Sequence, residues 1–298
     1  KQFDVPILFI VFNRPDTTAI VFNEIKKIRP KFLYIAGDAA REHKKEERDA
    51  VERVRDYIKE SIDWPCDVKT LYHEKNRGCK VAVSSAITWF FEQVEQGIIL
   101  EDDCVPDPTL FGFCKIMLEK YRDDERVMHI GGSNFQQGKK RGSTSYYFSR
   151  YSHIWGWATW RRAWKHYDVD MKDYPEFLKS GKIKEIWPKK RIQNIWLKKF
   201  NSVYEKKLDT WDYQWTYTIW EKGGFCILPN QNLVSNIGFG SGATHTKRKD
   251  MYADMPRYSL KEIVHPESME INTQADDFYN KHFLLFYRIL NKLQAYLL

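Results

Sequence analysis

Residues 98–106 read IILEDDCVP, an apolar run that breaks into three consecutive carboxylates, Glu101, Asp102 and Asp103, and stops at a proline. Like charges packed this closely repel one another and resist burial, so they need either open water or a compensating cation. Which of these applies depends on the sheet to which the run belongs.

Upstream, apolar strand-like runs alternate with amphipathic stretches. They are PILFIVF (6–12), a helix over 16–28, FLYIAGD (32–38), a charged helix over 42–59, DVKTLYHE (67–74), a helix over 79–96 and GIILEDD (97–103). This β-α-β-α-β-α-β order predicts an α/β fold, a Rossmann-like and mostly parallel sheet with helices on both faces. Such sheets bind ligands outside the carboxyl ends of their strands. Three of those ends carry polar residues: Asn13-Arg14-Pro15, Gly37-Asp38 and the triple carboxylate. Taken singly, Asp16 reads as a helix cap and Asp38 as a solvated turn, but together these ends converge on one edge.

Farther on, a helix is expected over 108–121, with strands at VMHIGG (127–132), SYYFSRY (145–151) and FCILP (225–229). From Trp155 the character changes to WGWATWRRAW, helical stretches over 173–206, and DTWDYQWTYTIWEKGG (209–224). The crowding of Trp here suggests an aromatic-lined cleft. Trp211, Trp215 and Ile219 recur at helical spacing, a stripe that reads as core packing. NIGFGSGATHT (236–246) is a glycine-rich loop with no helix behind it to make a phosphate-binding loop. The tail DFYNKHFLLFYRILNKLQAYLL (277–298) reads as a helix that could lie on a membrane surface, pack on the domain or pair with a second subunit.

The 298 residues carry a net charge of +8, which favours an anionic partner such as a nucleotide diphosphate or an anionic bilayer. Lys and Arg are spread along the chain without a nucleic-acid motif, so nucleic acid is not an expected partner. The five cysteines (66, 79, 104, 114 and 226) form no CxxC pair, which argues against a disulfide framework or a structural zinc site and for a reducing compartment. With no apolar run of membrane-spanning length, the expectation is a cytoplasmic protein, placed at the inner membrane surface if the tail binds lipid. A lumenal catalytic domain released from its anchor is the competing account.

A carboxylate cluster at a sheet's carboxyl edge suits a hard divalent cation, Mn2+ or Mg2+, bridging one or two carboxylates to a diphosphate. Such a metal neutralises the diphosphate as it leaves, and Arg14, Arg77 and Lys80 could share that load. Strand alternation puts Glu101 and Asp103 on one side and Asp102 on the other unless the chain turns first. A solvated turn before Pro106 is the plainer alternative. Asp212, set among Trp residues, could have the raised pKa of a general base, or could cap a helix, and Asp209 could substitute for it. His245, on the glycine-rich loop, could reach the metal.

Asn13-Arg14, Gly37-Asp38, EKNRGCKVAVSSAI (74–87) and IILEDDCVP, continued by WGWATW and TWDYQW, resemble the GT-A nucleotide-sugar glycosyltransferases over residues 5–245. The resemblance is to the inverting N-acetylglucosaminyltransferase I family and its bacterial relatives, with Glu-Asp-Asp standing for the DxD motif. It implies a GT-A fold: residues 1–125 form a nucleotide-sugar-binding half, 126–260 an acceptor-binding and catalytic half, and 261–298 a helical tail. It also implies that Asp103 coordinates the metal, that Asp102 contacts the ribose or the metal through water, and that Glu101 contacts the donor sugar. Arg14 and Asp38, with Phe12 and Asn13 beside them, would hold the uridine end, and Arg77 or Lys80 would contact the uridine. Asp212 would be the general base and Trp211 its neighbour at the sugar. Trp155 and Trp157 would offer faces to the acceptor. The donor expected first is UDP-GlcNAc and the acceptor a glycan or glycoprotein hydroxyl. A sugar-nucleotidyltransferase would want a glycine-rich loop after the first strand, which FNRPDTT is not; a non-catalytic carbohydrate-binding relative would have no use for the acidic triplet.

Overall fold

A computed structural model describes residues 2–239 and 252–284, the last two of these by backbone alone. The N-terminal part alternates as its periodicity dictates. It runs through β1 (Ile7–Val11), α1 (Pro15–Ile28), β2 (Phe32–Gly37), α2 (Lys45–Ser61), β3 (Asp67–Tyr72), α3 (Gly78–Gln93) and β4 (Gln96–Glu101). A short β5 (Cys104–Pro106), α4 (Thr109–Lys120), β6 (Val127–Gly131), β7 (Tyr146–Ser149) and β8 (Trp157–Trp160) follow. Next come α5 (Arg161–Trp164), α6 (Tyr174–Ser180), α7 (Ile183–Ile186), α8 (Lys190–Tyr204), α9 (Asp212–Glu221), β9 (Phe225–Pro229), β10 (Val234–Asn236) and α10 (Thr273–Tyr279).

Eight strands form one sheet in the order β3-β2-β1-β4-β8-β6-β9-β7, and β5 pairs with β10 in a second, two-stranded sheet. The β1–β4 block is parallel, β8 runs antiparallel between β4 and β6, β9 is parallel to β6, and β7 is antiparallel at the edge. The sheet is therefore mostly parallel, and it draws strands from both the 1–125 and 126–260 stretches.

Period-two alternation divides the central strands between two cores. Ile7, Phe9 and Val11 of β1 join Val21, Phe22 and Ile25 of α1 on one face. Leu8 and Ile10 join Ile87 and Phe90 of α3 and the aromatic residues of α8 and α9 on the other. Because both faces are covered, these strands read as continuous apolar runs.

The largest departure from expectation is WATW, which is β8 at the centre of the sheet, with Trp157 paired to Ile99 and Ala158 to Ile98. Four residues are too few to show alternation, and the surrounding tryptophans masked the strand. β4 ends at Glu101, and the chain turns through Asp102 and Asp103. Trp215 and Trp220 of α9 are buried core residues, as the helical stripe indicates.

The start of the expected tail helix packs on the domain. The Asp276 carboxylate of α10, 2% exposed, accepts from Ser149 Oγ at 2.6 Å and Arg150 Nη1 at 3.2 Å. The α10 helix passes into a π-helical turn over 280–284, and the remainder of the tail lies outside the described residues. No helix among the described residues is long and apolar enough to cross a membrane.

Candidate active site

The carboxyl edge of the parallel block is held together by Arg14. The β1–β4 register sets Ile10 opposite Glu101, so the chain leaving β1 meets the turn leaving β4. Asp102 is 2% exposed, and its two oxygens are engaged by the Phe12 N–H at 3.1 Å and Arg14 Nη2 at 2.5 Å. Arg14 Nη1 lies 3.0 Å from Asp103 Oδ2. Arg14 is thus the cation that the acidic triplet requires. Burial pushes the Asp102 carboxyl up to about 6, with the Arg14 charge pulling the other way. Glu101 is also raised, by burial and then by Asp103 and Asp102.

This geometry corrects the expected roles. Because the chain turns after Glu101, Asp102 and Asp103 converge on one guanidinium and do not alternate. Asp102 buckles β1 to β4, with each of its oxygens already accepting one hydrogen bond. Asn13 is committed as well: its amide donates to Glu47 Oε1 at 2.8 Å. Glu47, buried on α2 and clasped by Arg41, is a site-shaping residue that sequence reasoning missed. In the sequence it is one of many acidic residues on a charged helix.

Asp38 is similarly occupied. Its oxygens accept from the backbone N–H of Ala39 at 2.9 Å and of Arg77 and Gly78 at 3.0 Å, and from Asn76 Nδ2 at 3.0 Å. It orders the loop that opens α3 and keeps no free lone pair for a base. Gly78 sits in that loop at φ +77°, a backbone conformation that glycine adopts without strain. This ordering presents Arg77, exposed, and Lys80, partly exposed, at the N-terminal end of a 16-residue helix. Neither forms an ion pair with a described carboxylate, so two cations and the positive end of a helix dipole face the same edge.

Asp212 enters from the other side as the first residue of α9, with Trp211 preceding it. It does not cap the helix through its side chain, and it accepts from the Thr210 hydroxyl. Cys79, in the first turn of α3, reports the convergence: burial first, then the charges of Glu101, Asp209, Asp212 and Asp103, push its thiol up to about 12. Asp209 lies close to the loop as well, since a Cβ at Gly78 would be 3.4 Å from its Oδ2. The acidic turn, the opening of α3 and the start of α9 are therefore near neighbours.

The aromatic expectations are met differently. Trp157 is fully buried, stacked on His129 at 5.0 Å and on Trp211 at 5.8 Å, and Trp211 is 2% exposed. Neither offers a face to a sugar; they are the floor on which α9 is set. Trp155 is partly exposed and packs edge-on against Phe135 at 5.0 Å and Phe239 at 5.8 Å. His245 lies outside the described residues.

The backbone at Ile237 and Gly238 closes over the acidic turn. The β5–β10 pairing places Asn236 opposite Cys104, and Ile237 N donates to the Asp103 carbonyl at 2.9 Å. A Cβ on Gly238 would lie 2.1 Å from Asp103 Oδ2 and 2.8 Å from Arg14 Nη1, so only glycine lets this backbone approach the pair.

Among the described residues, no group of three or more His, Cys, Asp or Glu side chains is placed to hold a metal ion. The donors present fit another arrangement. Asp103 is a partly exposed carboxylate whose Oδ1, among the described residues, meets only Cys104 Sγ at 3.3 Å and Asn236 Nδ2 at 3.4 Å. One such oxygen donor suits Mn2+ or Mg2+ when diphosphate oxygens and water supply the other ligands.

The sequence matches no protein-family model and no curated protein. Its backbone overlaps partially with solved structures of nucleotide-sugar and nucleotidyl transferases. The mannosyltransferase PcManGT from Pyrobaculum calidifontis, in complex with GDP-Man and Mn2+, is 14% identical with a TM-score of 0.37. The overlap covers 53% of this chain and 45% of that one, so the chain spans less than half of that protein's length. A mannose-1-phosphate geranyltransferase from Thermus thermophilus is 12% identical over 76% of this chain and 74% of that one, with a TM-score of 0.37. The inositol-1-phosphate CTP transferase from T. maritima is 8% identical over 55% and 74%, with a TM-score of 0.31. At these scores the overlap carries no argument about the site, whose chemistry rests on its own residues.

Proposed function

We propose that the chain is a metal-dependent inverting glycosyltransferase of the GT-A type, transferring a sugar from a UDP-sugar, UDP-GlcNAc first among them, to a glycan hydroxyl. The observation that carries this reading is the nearness of Asp212, at the start of α9, to the acidic turn: its charge acts on Glu101, and together with the charges of Glu101 and Asp103 it acts on the Cys79 thiol. A base on one side and a cation-binding edge on the other are what an in-line displacement at an anomeric carbon needs.

In this reading Arg77, Lys80 and the opening of α3 receive the diphosphate, with Phe12 at the nucleotide rim and Asp38 acting through the loop it orders. When bound at Asp103, Mn2+ or Mg2+ supplies Lewis-acid neutralisation of the leaving diphosphate. Glu101 faces the donor sugar. Asp212 takes the proton of the acceptor hydroxyl; the oxygen forms its bond to the anomeric carbon as the bond to the diphosphate breaks, and UDP carries away the electron pair. Configuration inverts because attack and departure lie on opposite faces. Arg14, locked between Asp102 and Asp103, keeps the acidic turn in place while the site is empty of donor.

A donor panel with Mn2+ and mixed glycan acceptors tests this reading, with the anomeric configuration of product read by NMR. Product of inverted configuration is expected. Release of pyrophosphate from UTP and a sugar phosphate, with no transfer from any UDP-sugar, would instead make the chain a nucleotidyltransferase.

A further inference from the structure

The positive charge that looks dispersed in the sequence is concentrated once it is placed on the fold. Residues 172–207 hold eleven Lys and Arg against four Asp and Glu, so this stretch carries seven of the eight net positive charges. The stretch is the α6–α8 layer. Its apolar side, including Phe177, Ile192, Trp196 and Phe200, is buried in the same core as Trp211 and Trp215. Its outer side exposes Lys179, Lys184, Lys190, Arg191, Lys198 and Lys206. Lys189 pairs with Asp277 and Lys207 with Glu205, whereas those six form no ion pair with a described carboxylate.

One lysine of this layer turns inward. Lys199 shares the inward arc of α8 with Ile192, Ile195 and Trp196, and its Nζ donates to Tyr213 Oη at 2.9 Å. It lies 5.0 Å from the Trp196 ring centre and 4.5 Å from that of Tyr213. Tyr213 directly follows Asp212. Burial pushes the Lys199 amine down to about 8, with the Asp212 charge opposing, so Asp212 is the carboxylate whose charge it feels. An amine kept partly dry on aromatic faces, and not neutralised by contact with a carboxylate, is costly unless an anion completes it.

We infer that the acceptor is an acidic glycan, a sugar chain bearing carboxylates, with one carboxylate received by Lys199 beside Asp212 and its neighbours running over the basic outer side of α6–α8. The inference rests on the transferase reading of the site. The Lys199 ammonium has three N–H donors, and the Tyr213 hydroxyl takes one of them, so the amine can still donate to a carboxylate oxygen. The outer lysines supply long-range attraction, which adds encounter rate and salt dependence more than selectivity.

The test uses the full chain and two fluorescent probes, oligogalacturonate and its methyl ester, which differ in charge and by one methyl group per esterified carboxylate. Wild type is expected to bind the acid about tenfold more tightly than the ester, a factor typical of one charge-assisted contact. Lys199→Met is expected to cut that ratio severalfold, leaving the salt-sensitive part that the outer lysines supply, and Lys199→Arg to restore most of it, at unchanged melting temperature. Equal binding of acid and ester by wild type overturns the inference, as does a ratio that Lys199→Met leaves undiminished. So does capture by phosphatidylglycerol vesicles without any preference for the acid probe, which would make the basic layer a membrane surface. UDP-sugar hydrolysis by wild type is scored separately, so failure of the donor reading is distinguishable from failure of the acceptor inference.

Discussion

Arg14 and Asp103, 89 residues apart in sequence, meet as an ion pair at 3.0 Å, and the same guanidinium clamps the buried Asp102. The pair ties the exit of β1 to the exit of β4. It also defines the competition that the proposed function entails: a divalent cation arriving with a diphosphate would have to displace Arg14 from Asp103.

Removing the clamp should therefore be costly, and metal should repair part of the loss. Arg14→Ala strands Asp102 in a dry environment, where breaking a buried pair costs about 3 kcal/mol. Thermal unfolding should show a clear drop for the variant and a larger upward shift with Mn2+ than wild type shows. An unchanged melting temperature would mean that the triplet needs no cation.

Gly238→Ala tests the closure over that pair. The added methyl would fall 2.1 Å from Asp103 Oδ2. Overpacking of this kind costs about 1–3 kcal/mol. The expected outcome is weakened UDP binding together with lowered stability, measured by calorimetry and denaturant titration. Wild-type affinity in a fully stable variant would show that the backbone here is free to move.

Asp212→Asn keeps the shape of the helix start and removes the base. Turnover with donor and acceptor should fall by about 100- to 10,000-fold while donor affinity stays within about twofold. Asp209→Asn, tested beside it, should have the smaller effect. The reverse ranking would move the base to Asp209.

A pH effect should come from the core. His129 is fully buried, accepts from Trp215 Nε1 at 3.2 Å and donates through Nε2 to the His153 carbonyl at 3.0 Å, so both ring nitrogens are used by the neutral form. Burial pushes its pKa down to about 3. Its contribution to stability is full above the unfolded value near 6.5 and is lost as pH falls toward 3, because the unfolded chain takes a proton that the folded chain refuses. The slope is about 1.4 kcal/mol per pH unit. The stability difference between wild type and His129→Gln should be flat above about pH 7 and shrink at that slope below about pH 6. A difference constant down to about pH 4 would contradict the assignment.

The parallel block was legible because β1, β2 and the interior of β4 are apolar runs separated by helices of clear period. β9 at FCILP is legible for the same reason. β8 and the β5–β10 pair were not, being three or four residues long and specified by partners far away in the chain. At the site, Glu101–Asp103, Arg14 and Asp212 stand out as residue types at strand and helix ends. What each touches does not: occupation of Asp38 by the Asn76–Gly78 loop, and of Asn13 by Glu47, depends on contacts 34 or more residues apart. The burial of Trp157 and Trp211 is likewise a tertiary result, since a tryptophan's sequence context does not say which face is covered. Lys199 escaped notice because its significance is its direction on α8.

The measurement that bears most directly on the central claim is hydrolysis of a UDP-sugar panel with and without Mn2+, on wild type and Asp103→Ala. The account predicts slow hydrolysis of one donor by wild type, loss of that hydrolysis on chelation, and its loss in Asp103→Ala at any Mn2+ concentration. Hydrolysis unchanged by chelation and by Asp103→Ala would contradict it and return the acidic turn to a purely structural role under Arg14.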